Sequence, residues 1–350
     1  MSEVKFYNIS NQEKEAIFNA IATEKGMTPS AVEKDWWVSR TLDIIFKMDI
    51  AKHLVFKGGT SLSKAWKLIH RFSEDIDLAI DKEFFEGYEG NISKSQIKKL
   101  RKEAGKYTTE TFFEELKEEF LNEGFNALDF KIIEAEDSDQ DPRVLEIYYH
   151  NVVKSNSDYI LPRVQIEISC RSLREPFTER TFGSLVDEVY HDKAFAKSLF
   201  KVPTVNPERT FLEKVFLLHE EFHRPEDKIR VDRLSRHLYD IYQLSKAGIT
   251  DSAFKNQELY ETIVAHRYKF ARIGYVDYNL HNPKTLNPTP INTVIKAWDE
   301  DYTKMKEDMI YEESKPSFDE LLINLEELKE KLQNVEWDFS LTFPPLKSNN

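Results

Sequence analysis

Two aspartates carry the clearest chemistry in this chain. In Ser73-Glu74-Asp75-Ile76-Asp77-Leu78-Ala79-Ile80 the apolar residues recur with period two. That pattern predicts a strand with Ile76, Leu78 and Ile80 on one face and Asp75 and Asp77 on the other. Carboxylates side by side repel unless they share a divalent cation, and Mg2+ (or Mn2+) prefers such hard oxygen donors. A cation held there would neutralise a triphosphate and stabilise a departing pyrophosphate. Glu167 is a third candidate ligand: in Val164-Gln165-Ile166-Glu167-Ile168 the apolar side chains share one face and Glu167 points from the other. It reads equally well as a metal ligand and as an ordinary solvated strand residue.

The aspartates follow a second feature. A short strand over 53–57 runs into Gly58-Gly59-Thr60-Ser61, and Leu62, Ala65, Trp66 and Ile69 then recur at helical spacing. Two glycines at a strand-to-helix junction let backbone approach a phosphate without Cβ interference. The helix start aims unpaired N–H groups at an anion, and Thr60 and Ser61 add hydroxyls. A Gly-Gly turn alone is common, and Asp-x-Asp alone is often a solvated edge. Their order and spacing together favour phosphate and metal chemistry. The P-loop is excluded, because that motif needs Gly-Lys-Ser/Thr where this chain has Gly59-Thr60-Ser61.

Other elements must position these residues. Residues 11–24 and 29–47 read as helices, the second opened by Thr28-Pro29, a cap residue followed by proline. Residues 94–120 read as a charged helical insertion, and 130–133, 145–149 and 163–169 as strands. Beyond Pro203 the pattern turns helical: Asn206-Pro207 opens one helix, a second spans about 233–246, and 293–309 and 318–333 close the chain. The expected fold is α+β, a minimal nucleotidyltransferase core of mixed sheet flanked by helices, with a C-terminal helical domain. The domains are expected at 1–202 and 203–350.

The 350 residues carry a net charge of -13 and one cysteine, Cys170. The lone cysteine excludes an internal disulfide and a Cys-rich zinc site. The acidity argues against a general nucleic-acid binder, so any RNA would be gripped by a local basic patch. No apolar run is long enough to span a membrane, and residues 1–12 lack a signal-peptide core, so no membrane partner and a cytoplasmic location are expected.

At Lys57-Gly58-Gly59-Thr60-Ser61-Leu62-Ser63-Lys64-Ala65 and Arg71-Phe72-Ser73-Glu74-Asp75-Ile76-Asp77-Leu78 the sequence resembles the AbiEii/AbiGii-type nucleotidyltransferase toxins. These are the toxic halves of bacterial toxin–antitoxin and abortive-infection systems. The likeness continues through Glu33-Lys34-Asp35-Trp36-Trp37-Val38, Pro207-Glu208-Arg209-Thr210-Phe211-Leu212-Glu213-Lys214 and Arg236-His237-Leu238-Tyr239-Asp240, and covers roughly 32–290. The resemblance implies that Gly58, Gly59, Thr60, Ser61 and Lys64 hold nucleotide and that Asp75 and Asp77 hold metal. It further implies that Lys214 and Asp240 complete the active site. Ser73, placed with the nucleotide-binding residues, matches a serine phosphorylated by a cognate antitoxin in some relatives. Also implied are a nucleoside triphosphate as substrate, an RNA acceptor (the tRNA 3′ end foremost) and an antitoxin partner.

Residue by residue the support is uneven. Lys214 borders an apolar stripe, where a snorkelling stem and a phosphate contact fit alike. Asp240 reads as an exposed ion pair with Arg236 or as a cleft carboxylate. The stretch 224–236, with Arg224, Lys228, Arg230, Arg233 and Arg236 against three acids, is the expected basic grip on a triphosphate or RNA end, with Arg236 foremost. Trp36, Trp37, Trp66 and His219 are expected to pack, and Lys34 and Asp35 to pair with each other. Two other functions stay open: transfer to a protein or small molecule, and an inactive nucleotide-binding module.

Overall fold

The computed structural model describes residues 5–154 and 160–346; residues 1–4 of the N-terminal stretch read above lie outside it. The chain divides into two compact units, Met1–Val205 with Tyr311–Glu313, and Asn206–Ile310 with Ser314–Asn350. The first contains helices α1 (Asn11–Lys25), α2 (Pro29–Ile45), α3 (Gly58–Lys64), α4 (Lys94–Lys106), α5 (Phe113–Asn122) and α6 (Leu185–Val189). Its strands are β1 (Leu54–Lys57), β2 (Asp75–Ile80), β3 (Asp129–Ile132), β4 (Arg143–Tyr148), β5 (Arg163–Ser169), β6 (Phe177–Phe182) and β7 (Phe200–Val205). They form one mixed sheet in the order β3-β4-β5-β2-β1-β7-β6.

Alternation in β2 and β5 sets the two faces of this sheet. Ile76, Leu78 and Ile80 share the apolar face with Val164, Ile166 and Ile168, all buried. On the opposite face Ala79 joins a small cluster with Val55, Val205 and Phe177, and the acidic residues of both strands lie on this side.

Thr28 caps α2 by accepting from Ala31 N, and Pro29 stands in its first turn. This helix is buried from Ala31 to Ile45, charged residues included, so each charge needs a partner. Arg40 pairs with Asp187, and Asp43 with Lys47 and Lys197.

The helix predicted through Ile69 ends earlier, at Lys64. Lys67 takes a φ of 55°, and the chain turns back so that Leu68 N bonds Leu62 O. Leu62 is buried from within the helix and Ala65 and Ile69 from beyond its end, while the Trp66 indole donates to Val205 O at 2.9 Å.

The second unit is helical: α7 (Pro207–Glu221), α8 (Arg236–Lys246), α9 (Ile249–Ala253), α10 (Gln257–Phe270), α11 (Ile295–Asp308) and α12 (Phe318–Gln333). The helix predicted from 233 begins at Arg236. Arg233 has a φ of 58°, and Asp301 accepts from the Arg233 and Ser235 amides, fixing the chain outside the helix. Among the described residues no helix is long and apolar enough to cross a membrane.

The core of this unit holds a polar knot. Glu220 accepts from Arg267 Nε at 2.8 Å and from His281 Nε2 at 3.2 Å, and His219 Nδ1 lies 3.1 Å from Asn287 N. Burial, reinforced by the neighbouring histidines, holds His219 down to about 2, and burial lowers His281 as well. Glu220, which burial alone would raise, is brought down to about 2 by Arg267 and His281.

All three shifts act in one direction. The folded histidines stay neutral where unfolded ones take up protons, at about pH 6.5, so stability is lost as pH falls below that value. Glu220 adds a loss of the same sign once pH falls below about 4.5. Thermal melts between pH 7.5 and 5 should therefore show a steep fall in stability, up to about 1.4 kcal/mol per pH unit for each proton. His219→Asn should flatten it by close to one proton. A pH-independent melt would contradict the neutral, buried assignment.

Candidate active site

The three carboxylates singled out from sequence meet on two adjacent strands, and a lysine from a third completes a row with them. β1 and β2 run antiparallel with Lys57 opposite Asp77, and β2 and β5 run parallel with Asp77 opposite Glu167 and Asp75 opposite Gln165. Directly opposed residues project from the same face, so a lysine, the two aspartates and Glu167 crowd together. Burial, then the charges of Asp77 and Asp75, push Glu167 up to about 7 against the pull of Lys57. Gln165 Nε2 donates to Glu167 Oε1 at 3.0 Å.

The glycine turn closes on this row. Gly58 has a φ of 79°, and a Cβ placed on it would come within 2.8 Å of Asp77 Cγ and closer still to Oδ2. The Asp77 carboxylate thus lies against the bare Cα of Gly58. A Cβ on Gly59 would fall 2.7 Å from Arg71 Nη2 and 2.8 Å from Ser73 Oγ. Each glycine makes room for a polar group from the segment leading into β2 or from β2 itself.

Thr60 and Ser61, expected to offer hydroxyls outward, are buried. Thr60 Oγ1 donates to Asp75 O at 2.6 Å and lies 3.0 Å from Ser73 Oγ, and Ser61 Oγ donates to Gly58 O at 2.8 Å. These bonds tie the turn to β2 and fix the spacing between glycines and aspartates.

Lys34 and Asp35 do not pair with each other. Successive helix residues point about 100° apart, and each finds a different partner. Lys34 pairs with Glu74, the residue before Asp75; Asp35 pairs with Lys64 at the end of α3 and accepts from Leu185 N at 2.8 Å. One turn of α2 therefore holds both arms of the motif. Burial pushes the Lys34 ammonium below the ordinary lysine range, opposed by Glu74 and Asp75.

Lys34→Met removes the ammonium from a buried ion pair with Glu74, and losing one partner of such a pair costs about 3–5 kcal/mol. Adding Glu74→Gln should restore most of that stability. Transfer should stay at least about tenfold down, because Asp75 still lacks its neighbouring ammonium. Melts and rates on the two variants check this; recovery of both together would reduce Lys34 to a purely structural role.

In the second unit Lys214 Nζ pairs with Asp240 Oδ2 at 2.9 Å and lies 3.2 Å from His237 Nδ1. Asp240 is fully buried, so the exposed pair with Arg236 is replaced by a buried pair with Lys214. Arg236 is half-buried at the start of α8. Two of the five cations of the basic stretch, Arg224 and Arg230, share one counter-charge, Glu221, at 3.1 and 2.6 Å. Trp36, Trp37 and His219 are buried as expected.

Sequence reasoning missed Lys57, Gln165 and Arg71, which strand register or packing brings to the row and the turn. It also excluded a His-Glu-x-x-His motif, wrongly: His219-Glu220-Glu221-Phe222-His223 spells H-E-x-x-H, the pattern of zinc hydrolases. Here Glu220 is bound by Arg267 and His281 and has no freedom to act as a general base.

Among the described residues no three His, Cys, Asp or Glu side chains are closed into a metal-ligand set. The donor chemistry nevertheless fits a hard divalent cation. Asp75, Asp77 and Glu167 are neighbouring oxygen donors, and Glu167 is held up by burial first and by the two aspartate charges second, both of which a bound cation would offset.

No curated protein matches the chain significantly. Several solved structures are similar at low identity, two of them as follows. MenT4, a nucleotidyltransferase toxin from Mycobacterium tuberculosis H37Rv, has 14% identity over 94% of this chain and 98% of its own, with a TM-score of 0.44. JHP933 from Helicobacter pylori has 13% identity over 87% and 91%, with a TM-score of 0.41. Likeness at that level carries no function. The family model described as nucleotidyl transferase AbiEii toxin, type IV toxin–antitoxin system, matches residues 40–324, most of the chain and all of the row and turn above; the chain belongs to this family of nucleotidyltransferases.

Proposed function

We propose that the protein transfers a nucleoside monophosphate from a nucleoside triphosphate to a hydroxyl of RNA, the tRNA 3′ end foremost, and so acts as a toxin held in check by a cognate antitoxin. The acceptor oxygen bonds to the α-phosphorus, the α–β phosphoanhydride bond breaks, pyrophosphate leaves and the hydroxyl proton passes to solvent. A divalent cation, Mg2+ or Mn2+, would supply charge neutralisation at the phosphates. Asp75, Asp77 and Glu167 would hold it. Gly58 and Gly59 would hold the turn close against Asp77, Arg71 and Ser73, with the triphosphate beside Arg71, Ser73 and Lys64. Lys214 and Asp240 enter the proposal from the family resemblance and Arg236 from the basic stretch 224–236, and Lys214→Ala should lower transfer.

The observation that carries this reading is the packing of the Asp77 carboxylate on Gly58, directly across from Glu167. It joins the two halves expected of a nucleotidyl-transfer site. The net charge of -13 favours a second reading, in which the acceptor is a protein hydroxyl. Incubation with α-labelled triphosphates and whole-cell extract separates them. Label removed by nuclease and retained through protease supports RNA; label removed only by protease overturns it.

A further inference from the structure

The sequence places its densest positive charge where neither the motif nor the stretch 224–236 lies. Helix α4 holds Lys94, Lys98, Lys99, Arg101, Lys102 and Lys106 against one acid, Glu103, a local +5 on a chain of -13. Lys94, Lys98, Lys102 and Lys106 are four residues apart, so they form one row, each about 6 Å along the axis from the next. Lys99 sits beside the row, and all five lysines are exposed.

Arg101 pairs with Asp139 at 3.4 Å, and Lys106 with Glu110 at 3.7 Å. Among the described residues the side chains of Lys94, Lys98, Lys99 and Lys102 make no ion pair or hydrogen bond. Like charges spaced by four weaken a helix by a few tenths of a kcal/mol per pair, so this row is unfavourable for the helix that bears it. The side of α4 away from the row anchors it, with Ile97, Leu100 and Ala104 buried, and near its end Gly105 packs on the Arg143 guanidinium.

That anchorage also fixes where the row stands. Arg143 is the register partner of Ile168 and shares its face of the sheet, whereas Glu167 points from the other. The lysines therefore lie on the far side of the sheet from the aspartates, beyond reach of a reacting nucleotide.

We infer that the lysine row of α4 grips the phosphate backbone of an RNA at a distance from its reacting end. This rests on the RNA acceptor proposed above and extends it. Regularly spaced free ammonium groups displace counterions from a polyanion. Each step of the row is comparable to the separation of consecutive phosphates along a strand. A protein partner is disfavoured, because interfaces are depleted in lysine and centred on apolar residues. A membrane-surface helix needs an exposed apolar face, and the apolar residues of α4 are buried.

The test compares the full-length protein with a variant carrying Lys94→Ala, Lys98→Ala, Lys99→Ala and Lys102→Ala, and with the corresponding four-arginine variant. Fluorescence anisotropy of a labelled tRNA transcript is read across a KCl series, alongside transfer to a short single-stranded acceptor. The alanine variant should bind the transcript at least about tenfold more weakly, with a salt slope shallower by about three. Its transfer to the short acceptor should be unchanged, and the arginine variant should bind like the parent. Unchanged affinity and slope in the alanine variant would overturn the inference. So would loss of binding to phosphatidylserine vesicles with RNA affinity intact, which would assign the row to a membrane. Row-dependent RNA binding by a parent protein that labels no RNA would uphold the row and sink the acceptor reading instead.

Discussion

Asp77→Asn is expected to lower nucleotidyl transfer by at least about a thousandfold while leaving the fold intact. Asparagine keeps the shape of the side chain and removes its charge. Asp77 is the middle member of the row from Lys57 to Glu167, so the change strikes the point where all the site's charges meet. A cation at developing charge is worth several kcal/mol, and each 1.36 kcal/mol is tenfold in rate. Asp75→Asn should behave alike. Steady-state transfer of α-labelled nucleotide, together with a melt, reads both. Full activity in either variant would remove the carboxylates from the chemistry.

Gly58→Ala is the second large effect, and it acts through geometry alone. The backbone there has a φ of 79°, which costs an L-residue about 1–2 kcal/mol, and the added methyl would fall on the Asp77 carboxylate. Displacing a catalytic group by about 1 Å can cost on the order of a hundredfold, so transfer should fall at least that far. Gly124→Ala separates the two causes: its φ is 92°, but nothing lies within 4 Å of the new methyl. That control should lose a little stability and no activity. Equal activity losses in the two variants would point to backbone strain in place of the contact with Asp77.

The motif was legible because its parts are local. The period-two pattern of β2 and the Gly58-Gly59 turn each declare themselves within a few residues, and Thr28-Pro29 marks where α2 begins. What sequence could not supply was pairing across distance. Lys57 and Gln165 join the row only through strand register, and Arg71 reaches Gly59 only because α3 stops at Lys64. Adjacency suggested that Lys34 and Asp35 pair, yet helix geometry turns them toward different partners. Strands β6 and β7 passed unread, since neither carries candidate chemistry and Pro203 suggested an end to regular structure within what is β7. Arg224 and Arg230 looked unpaired because their counter-charge, Glu221, lies just outside the stretch 224–236.

Calorimetric titration of Mn2+ into the protein, with and without a non-hydrolysable triphosphate, puts the central idea to its most direct test. The parent protein should bind the ion, more tightly when the triphosphate is present, and a variant carrying both Asp75→Asn and Asp77→Asn should show no saturable binding in either condition. Equal Mn2+ affinity in the parent and the double variant would mean that these carboxylates do not hold the cation, and the proposed site would be wrong.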